Sequence, residues 1–214
     1  MTTLVVVKKA GYVVIAGDSL TTFGGVKLLP DYDKSHDKIL HAHGTYFGIA
    51  GSAAHHLVME SILTKNTEMK LGSKMEIFET FRTLHPVLKE EHFLNPKEEE
   101  DDPYESSQLT SLIANKAGIF GVYSMREVFE FDRFWSIGSG REFALGAMFS
   151  QYDKLKTAED VARAGDFTEP QIPAGRVRAV AGALRGDGIE DALAELRRFA
   201  QPRAVADGAD LRVQ

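Results

Sequence analysis

The first β-strand of this chain is expected to begin within three residues of Met1. Two short runs rich in valine and isoleucine, over residues 4–8 and 12–16, are separated by Ala10 and Gly11. Such runs on either side of a small turn predict a β-hairpin. A terminus that enters a sheet directly is held in place instead of fraying. The fold must therefore be one that places its N-terminal residues inside a β-sheet.

The rest of the chain alternates groups of strands with groups of helices. Further strands are predicted over 38–43, 46–50, 109–114, 119–124 and 128–131, the last of which leads to Trp135. Helices are predicted over 53–64, 73–88, 141–152 and 157–164, and loops over 19–37 and 95–107. Pro86 falls inside the second helix and predicts a kink or a break there. This order favours an α+β fold in which two sheets pack between helix layers.

Composition and charge exclude several classes of protein. The 214 residues contain no cysteine, which excludes a disulfide framework, a thiolate metal site and a cysteine nucleophile. The net charge of −6 disfavours binding to nucleic acid or to a membrane surface. No apolar run is long enough to span a bilayer, and the N-terminus lacks the pattern of a signal peptide. We expect a cytoplasmic protein.

The basic residues change character near residue 158. Residues 1–158 contain thirteen lysines and four arginines, whereas residues 159–214 contain eight arginines and no lysine. We predict one domain over 1–166 and a C-terminal tail over 167–214 whose structure the sequence leaves open. Within the tail, residues 189–199 have the apolar spacing of an amphipathic helix.

Thr2 is the first candidate for chemistry. If Met1 is removed, the chain begins with a residue that carries both a hydroxyl and an α-amine. A hydroxyl is a poor nucleophile at neutral pH without an adjacent base, and an α-amine can be that base. Many proteins have threonine at this position for no catalytic reason, so further residues must support the hypothesis.

Three further residues support it. Asp18 follows the second strand, so the hairpin returns it to the level of Thr2. Lys38 opens the third strand, and a lysine beside Thr2 would lower the pKa of the hydroxyl and of the amine. Gly51 lies between a strand and a helix, where a backbone N–H can stabilise an oxyanion. Considered alone, Asp18 is better explained as a turn residue and Lys38 as a surface residue.

The blocks that contain these residues resemble those of a known family. Thr2 to Val7, Val14 to Asp18, Gly48 to Gly51 and Ser136 to Gly140 are similar to segments of proteasome β-subunits and of the HslV peptidase. The long acidic insert and the segment from Gly138 to Met148 are most similar to the betaproteobacterial proteasome homologue. The resemblance covers residues 2–166.

The resemblance implies a four-layer αββα sandwich, the N-terminal nucleophile hydrolase fold. It implies a threonine-type peptidase that acts without a cofactor on peptides or unfolded proteins, inside a homo-oligomeric and stacked ring, with an ATPase as a further candidate partner. The resemblance implies that Thr2 supplies both the nucleophile and the base, and that it is supported by Asp18, a lysine, Ser139 and an aspartate after the last helix. It implies that the Gly51 N–H donates to the oxyanion. It also implies that Thr22 and Ala53 bind the substrate backbone, and that Ile49 and Ala53 line the pocket beside the cleaved bond.

Two of these assignments depend on departures from the family pattern. Lys34 matches the family lysine by its distance from Thr2, whereas Lys38 matches by its position before two apolar residues at a strand start. We prefer Lys38. Asp166 is the best match for the last aspartate, although no serine follows it.

Other interpretations remain open. The chain could be a catalytically silent ring subunit, or an amidase of the same fold that acts on a small molecule. His41 and His43 alternate on one predicted strand and could share a metal ion, which we consider the weaker interpretation. The acidic residues over 98–102 are expected to form a solvated loop.

Overall fold

The structure, a computed structural model, describes residues 2–23, 25–29, 32–33, 37–66, 68–97, 99–165 and 182–183. The strands in these residues are β1 (Leu4–Lys9), β2 (Tyr12–Gly17), β3 (Thr21–Phe23), β4 (Val26–Leu28), β5 (Ile39–Ala42), β6 (Thr45–Ala50), β7 (Thr110–Asn115), β8 (Gly118–Val122), β9 (Val128–Phe131), β10 (Phe134–Ile137) and β11 (Gly182–Ala183). The helices are α1 (Ala53–Lys65), α2 (Lys74–Glu90), α3 (Arg141–Gln151) and α4 (Ala158–Gly165).

Two antiparallel sheets form the centre of the molecule. One has the strand order β10-β1-β2-β11 and the other has the order β5-β6-β7-β8-β9. Helices α3 and α4 pack on the outer face of the first sheet, and α1 and α2 pack on the outer face of the second. The predicted four-layer αββα sandwich is therefore confirmed.

Strand β1 explains why the N-terminal sequence is so uniformly apolar. Leu4 and Val6 point between the two sheets, whereas Val5 and Val7 point toward α3 and α4. All four side chains are completely buried. A strand that is covered on both faces requires a continuous apolar run instead of an alternating one.

The structure corrects two local predictions. The predicted loop over 19–37 contains a β-hairpin, in which Thr21 of β3 pairs with Leu28 of β4. Of the two alternatives predicted at Pro86, the break is wrong because α2 continues to Glu90, whereas the kink stays a prediction. Pro86 lies on the exposed side of this helix, where water can hydrate the backbone carbonyl that loses its partner. The neighbouring Leu84 and Leu88 are buried and hold both halves of the helix on the sheet.

A short part of the C-terminal tail reaches the first sheet. Gly182 and Ala183 form β11 and pair with Val13 and Tyr12 of β2. The predicted helix over 189–199 lies outside the described residues. The boundary at residue 166 stays a prediction. In the described part of the chain, no helix combines the length and the apolar character that a membrane span needs.

The acidic insert between α2 and β7 is fastened to α2 by an ionic cluster. The buried His85 imidazole contacts the Ser107 hydroxyl at 3.0 Å and the Glu105 carboxylate at 3.1 Å. Lys89 pairs with the same carboxylate at 2.5 Å, and Arg126 donates to the Glu105 carbonyl at 2.6 Å. The described residues of 95–107 contain no helix or strand, but the side chains at the end of the insert are fixed.

We expect this cluster to make stability sensitive to acid. Hydrogen bonds from Lys89 and His85 lower the pKa of Glu105 below its ordinary value of 4.5. The stabilisation is therefore present above that ordinary value and is lost as the pH falls through the lower, folded-state pKa. Between pH 6 and pH 3.5, the urea midpoint of the wild type should fall further than that of Glu105→Gln.

The matched control is Glu100→Gln, which removes an exposed carboxylate of the same insert that pairs with Lys97. The Lys97 and Glu100 side chains are 66% and 87% exposed, against 43% and 49% for Lys89 and Glu105, so water screens the control pair more strongly and this variant should follow the wild type. Identical acid sensitivity in Glu105→Gln and the wild type would contradict the assignment.

Candidate active site

Thr2 is held at the start of β1 by the turn that joins β10 to α3. Its N–H donates to the Ser139 hydroxyl at 3.1 Å, and the Gly140 N–H donates to the Thr2 carbonyl at 3.2 Å. Gly138, which precedes this pair, has φ +93°. A β-carbon there would lie 2.2 Å from the Thr2 carbonyl oxygen. The turn therefore touches the backbone of Thr2 directly.

The hairpin places Asp18 beside Thr2, as its length requires. Gly17 pairs with Leu4, and the next residue, Asp18, is 95% buried. The Asp18 carboxylate accepts hydrogen bonds from the N–H groups of Thr3 and Leu20, the second at 2.9 Å. The orientation of the carboxylate is therefore fixed by the backbone on both sides.

Lys38 lies immediately before β5 and joins these groups. Its ammonium donates to the Asp18 carboxylate at 2.6 Å, to the Leu20 carbonyl at 2.7 Å and to the Thr2 hydroxyl oxygen at 3.3 Å. The Lys38 carbonyl accepts from the Ile49 N–H at 3.2 Å, which fixes the lysine backbone on the neighbouring strand. The alternative lysine, Lys34, lies outside the described residues.

This arrangement can favour an anionic oxygen on Thr2. The Lys38 and Asp18 side chains are 13% and 6% exposed, so water screens their charges weakly. A cation that is hydrogen-bonded to a hydroxyl oxygen favours the deprotonated form of that oxygen. Asp18 balances the charge of the lysine and orients it. The geometry can therefore assist a nucleophilic attack by the Thr2 hydroxyl.

Gly51 lies between the end of β6 and the Ser52 N-cap of α1. Its α-carbon is flanked by the Gln108 carbonyl oxygen and by the His55 imidazole, which lie 3.6 and 3.7 Å from the position of an added β-carbon. Burial lowers the pKa of His55, so this imidazole is neutral at neutral pH. The helix terminus beside Gly51 carries no acidic side chain in its first turn.

A cleft of about 1120 Å³ is lined by six of the predicted site residues, but not by Asp18 or Ser139. Thr2 and Lys38 lie in its wall, and so do the four residues assigned to substrate binding: Thr22, Ile49, Gly51 and Ala53. Asp166 lies outside the described residues, so its role stays a prediction.

The two histidines that alternate in the sequence do not converge. His41 stacks on Tyr46 with the ring centroids 4.1 Å apart. His43 lies in the turn after β5 and contacts the Leu63 carbonyl at 3.2 Å. The described residues contain no group of three side chains placed to bind a metal ion.

Solved structures share this architecture. The BPH of Thiobacillus denitrificans in complex with epoxomicin is 37% identical to this chain, with a TM-score of 0.77, and the match covers 86% of this chain and 99% of the BPH chain. A further structure of the same protein, without epoxomicin in its description, is 38% identical over 86% of this chain and 100% of the other. The chain belongs to the family of proteasome β-subunits and HslV peptidases.

More distant members of this family share the fold alone. The eukaryotic HslV from Trypanosoma brucei is 20% identical, with a TM-score of 0.56, over 76% of this chain and 87% of that one. Comparison with protein-family models and with curated proteins gives no match. Family membership identifies the chain as a proteasome-type peptidase subunit with the N-terminal nucleophile hydrolase fold.

Sequence reasoning missed part of both walls of the cleft. Asp37, His56, Leu57 and Glu60 line the same cavity as Thr2. The three helical residues share one face of α1, and that spacing could have indicated a common surface. Nothing in the sequence indicates that this face looks toward Thr2.

Proposed function

We propose that this chain is a threonine-type peptidase that cleaves peptide bonds with the Thr2 hydroxyl after Met1 has been removed. The observation that carries the proposal is the position of the Lys38 ammonium, which bridges the Asp18 carboxylate and the Thr2 hydroxyl oxygen. A scaffold has no need of a buried ion pair at a chain end, because burial of two charges is costly unless they are well paired.

In the proposed mechanism, the freed α-amine of Thr2 accepts the proton of its own hydroxyl. The hydroxyl oxygen attacks the carbonyl carbon of the substrate, Lys38 stabilises the charge on that oxygen, and the Gly51 N–H stabilises the carbonyl oxygen. The amine then protonates the leaving nitrogen. Water hydrolyses the resulting ester and regenerates Thr2. Ser139 contacts the Thr2 nitrogen and is placed to orient the amine.

The size of the cleft supports a peptide substrate over a small molecule. Its volume exceeds the usual range of about 300–1000 Å³ for small-molecule sites. A relative that is 37% identical is described in complex with epoxomicin. The test is whether the purified chain hydrolyses peptides and whether Thr2→Ala stops it, and hydrolysis that survives the loss of the hydroxyl would refute the proposal.

We further propose that the peptidase acts as a homo-oligomeric, stacked ring. On α3, Ala144 and Met148 are completely buried against the sheet, whereas Phe143 and Phe149 are 78% and 77% exposed. The helix therefore contributes to the core on one side and offers two large apolar side chains on the other. Aromatic side chains of this kind are enriched in protein interfaces.

Light scattering should give a mass many times the 23.6 kDa of one chain. The double variant Phe143→Glu/Phe149→Glu should reduce that mass, because it places charges in the proposed stacking surface. Glu142→Gln, which changes an exposed neighbour on the same helix, is the control and should leave the mass unchanged. A monomer at micromolar concentration would refute the ring.

A further inference from the structure

The cleft extends away from Thr2 along one face of α1. Ala53, Leu57 and Glu60 are spaced four and three residues apart, which places them on one side of the helix, and all three line the cavity. Since an α-helix rises 1.5 Å per residue, Glu60 lies about 10 Å beyond Ala53 along the axis. Helical side chains tilt toward the N-terminus, and the Glu60 carboxylate is near enough to the His56 imidazole, one turn earlier in α1, for its charge to act there.

The opposite wall also carries carboxylates. Asp37 comes directly before Lys38, and both residues line the cavity together with Asp33. Asp33 and Asp37 take part in other interactions, which leaves the Glu60 carboxylate as the candidate for contact with a bound substrate. The imidazole of His56 lies close enough to Glu60 and Asp37 for both charges to act on it. The two walls therefore approach each other at this point.

The balance of charge in this part of the cleft is negative. Among the described residues that line it, Lys38 is the one lysine or arginine, and its ammonium is already bound by Asp18. Burial lowers the pKa of His56, and the nearby carboxylates offset this only in part. The imidazole is therefore neutral at neutral pH and does not cancel the charge of Glu60.

We propose that Glu60 is a specificity-determining residue that binds the charged end of a lysine or arginine side chain preceding the cleaved bond. This proposal rests on the proposed peptidase function. The aliphatic part of such a side chain would pack along Ala53 and Leu57, the second of which is 68% exposed. Its ammonium or guanidinium would then meet the carboxylate in a charge-assisted hydrogen bond. An acidic side chain at the same position would be repelled.

The test uses fluorogenic peptides that differ only in the residue before the cleaved bond, which is arginine, lysine, leucine or glutamate. For the wild type, kcat/KM should be about tenfold higher for arginine and lysine than for leucine, and lowest for glutamate. Glu60→Gln should lower the arginine and lysine values about tenfold and leave the leucine value unchanged. Glu60→Lys should reverse the order of the arginine and glutamate peptides.

Glu90→Gln is the control, because Glu90 is an exposed residue at the end of α2 and is absent from the lining of the cleft. This variant should keep the wild-type preference. Equal cleavage of the leucine and arginine peptides by the wild type, or an equal loss for all four peptides in Glu60→Gln, would overturn the role of Glu60 and leave the peptidase function standing. Failure to cleave any of the four by protein without Met1 would instead refute the peptidase function.

Discussion

Replacing Thr2 with alanine is expected to abolish peptide cleavage while leaving the protein folded. The substitution removes the oxygen that receives the Lys38 hydrogen bond at 3.3 Å, and with it the proposed nucleophile. The Lys38 ammonium also donates to the Asp18 carboxylate and to the Leu20 carbonyl, and neither of these groups can replace the hydroxyl as the nucleophile. The rate should fall a thousandfold or more, on the order of the loss seen when a nucleophile is removed.

The cost in stability should be small. Thr2 contributes one side-chain hydrogen bond at the end of the chain, and a bond of this kind is worth about 1 kcal/mol. The Thr2 backbone contacts with Ser139 and Gly140 do not need the hydroxyl. Thermal unfolding of Thr2→Ala should therefore resemble that of the wild type.

Thr2→Ser should retain part of the peptidase activity, because serine keeps both the hydroxyl and the amine.

The same mechanism requires a free α-amine. The intact mass of active protein should be lower than that of the full sequence by one methionine, and a retained or acetylated terminus should be as damaging as Thr2→Ala. Full activity in protein that keeps Met1 would contradict the mechanism. Correct processing without cleavage of any peptide would favour the alternative of a catalytically silent ring subunit.

The long apolar strands could be predicted because burial on both faces leaves a strong signal. The uninterrupted run from Leu4 to Val7 requires two covered faces, and this one strand already indicates a layered fold. The hairpin length then places Asp18 at the level of Thr2 without any knowledge of the rest of the sheet. The juxtaposition of Thr2 and Asp18 can therefore be predicted from local sequence alone.

The hairpin of β3 and β4 could not be predicted in the same way. Each strand has three residues, and Val26 is 65% exposed. A short strand with little burial leaves no periodic apolar pattern. The helix break predicted at Pro86 is wrong for the opposite reason. Here the burial of neighbouring residues on α2 outweighs the low helix propensity of one proline.

The other half of the site depends on contacts between distant segments. Lys38 reaches Thr2 across the segment 19–37, whose path the sequence leaves undetermined, and this is why Lys34 remained an alternative. Glu60 and Asp37 act on one imidazole from a helix and from the segment before β5. Such a pairing exists only once the helix has docked on the sheet, so sequence spacing alone does not indicate it.

Gly138→Ala is expected to lower the rate of catalysis strongly, although less than the loss of Thr2 itself. An added β-carbon would lie 2.2 Å from the Thr2 carbonyl oxygen and 2.8 Å from its carbonyl carbon. Both atoms belong to the backbone, so no rotamer change relieves the clash, and Thr2 or the turn must move. A displacement of about 1 Å can cost roughly a hundredfold in rate. We therefore expect kcat to fall at least that far in an assay of peptide hydrolysis.

Gly11→Ala separates this clash from the strain of the backbone conformation. Gly11 has φ +83°, close to the +93° of Gly138, but an added β-carbon there would meet no atom within 4 Å. It lies in the turn between β1 and β2, at the opposite end of the hairpin from Thr2. Both variants should lose stability on the order of 1 kcal/mol from the positive φ. Only Gly138→Ala should lose activity; an equal loss of activity in both variants would show that hairpin stability, and not the contact of the turn with Thr2, limits catalysis.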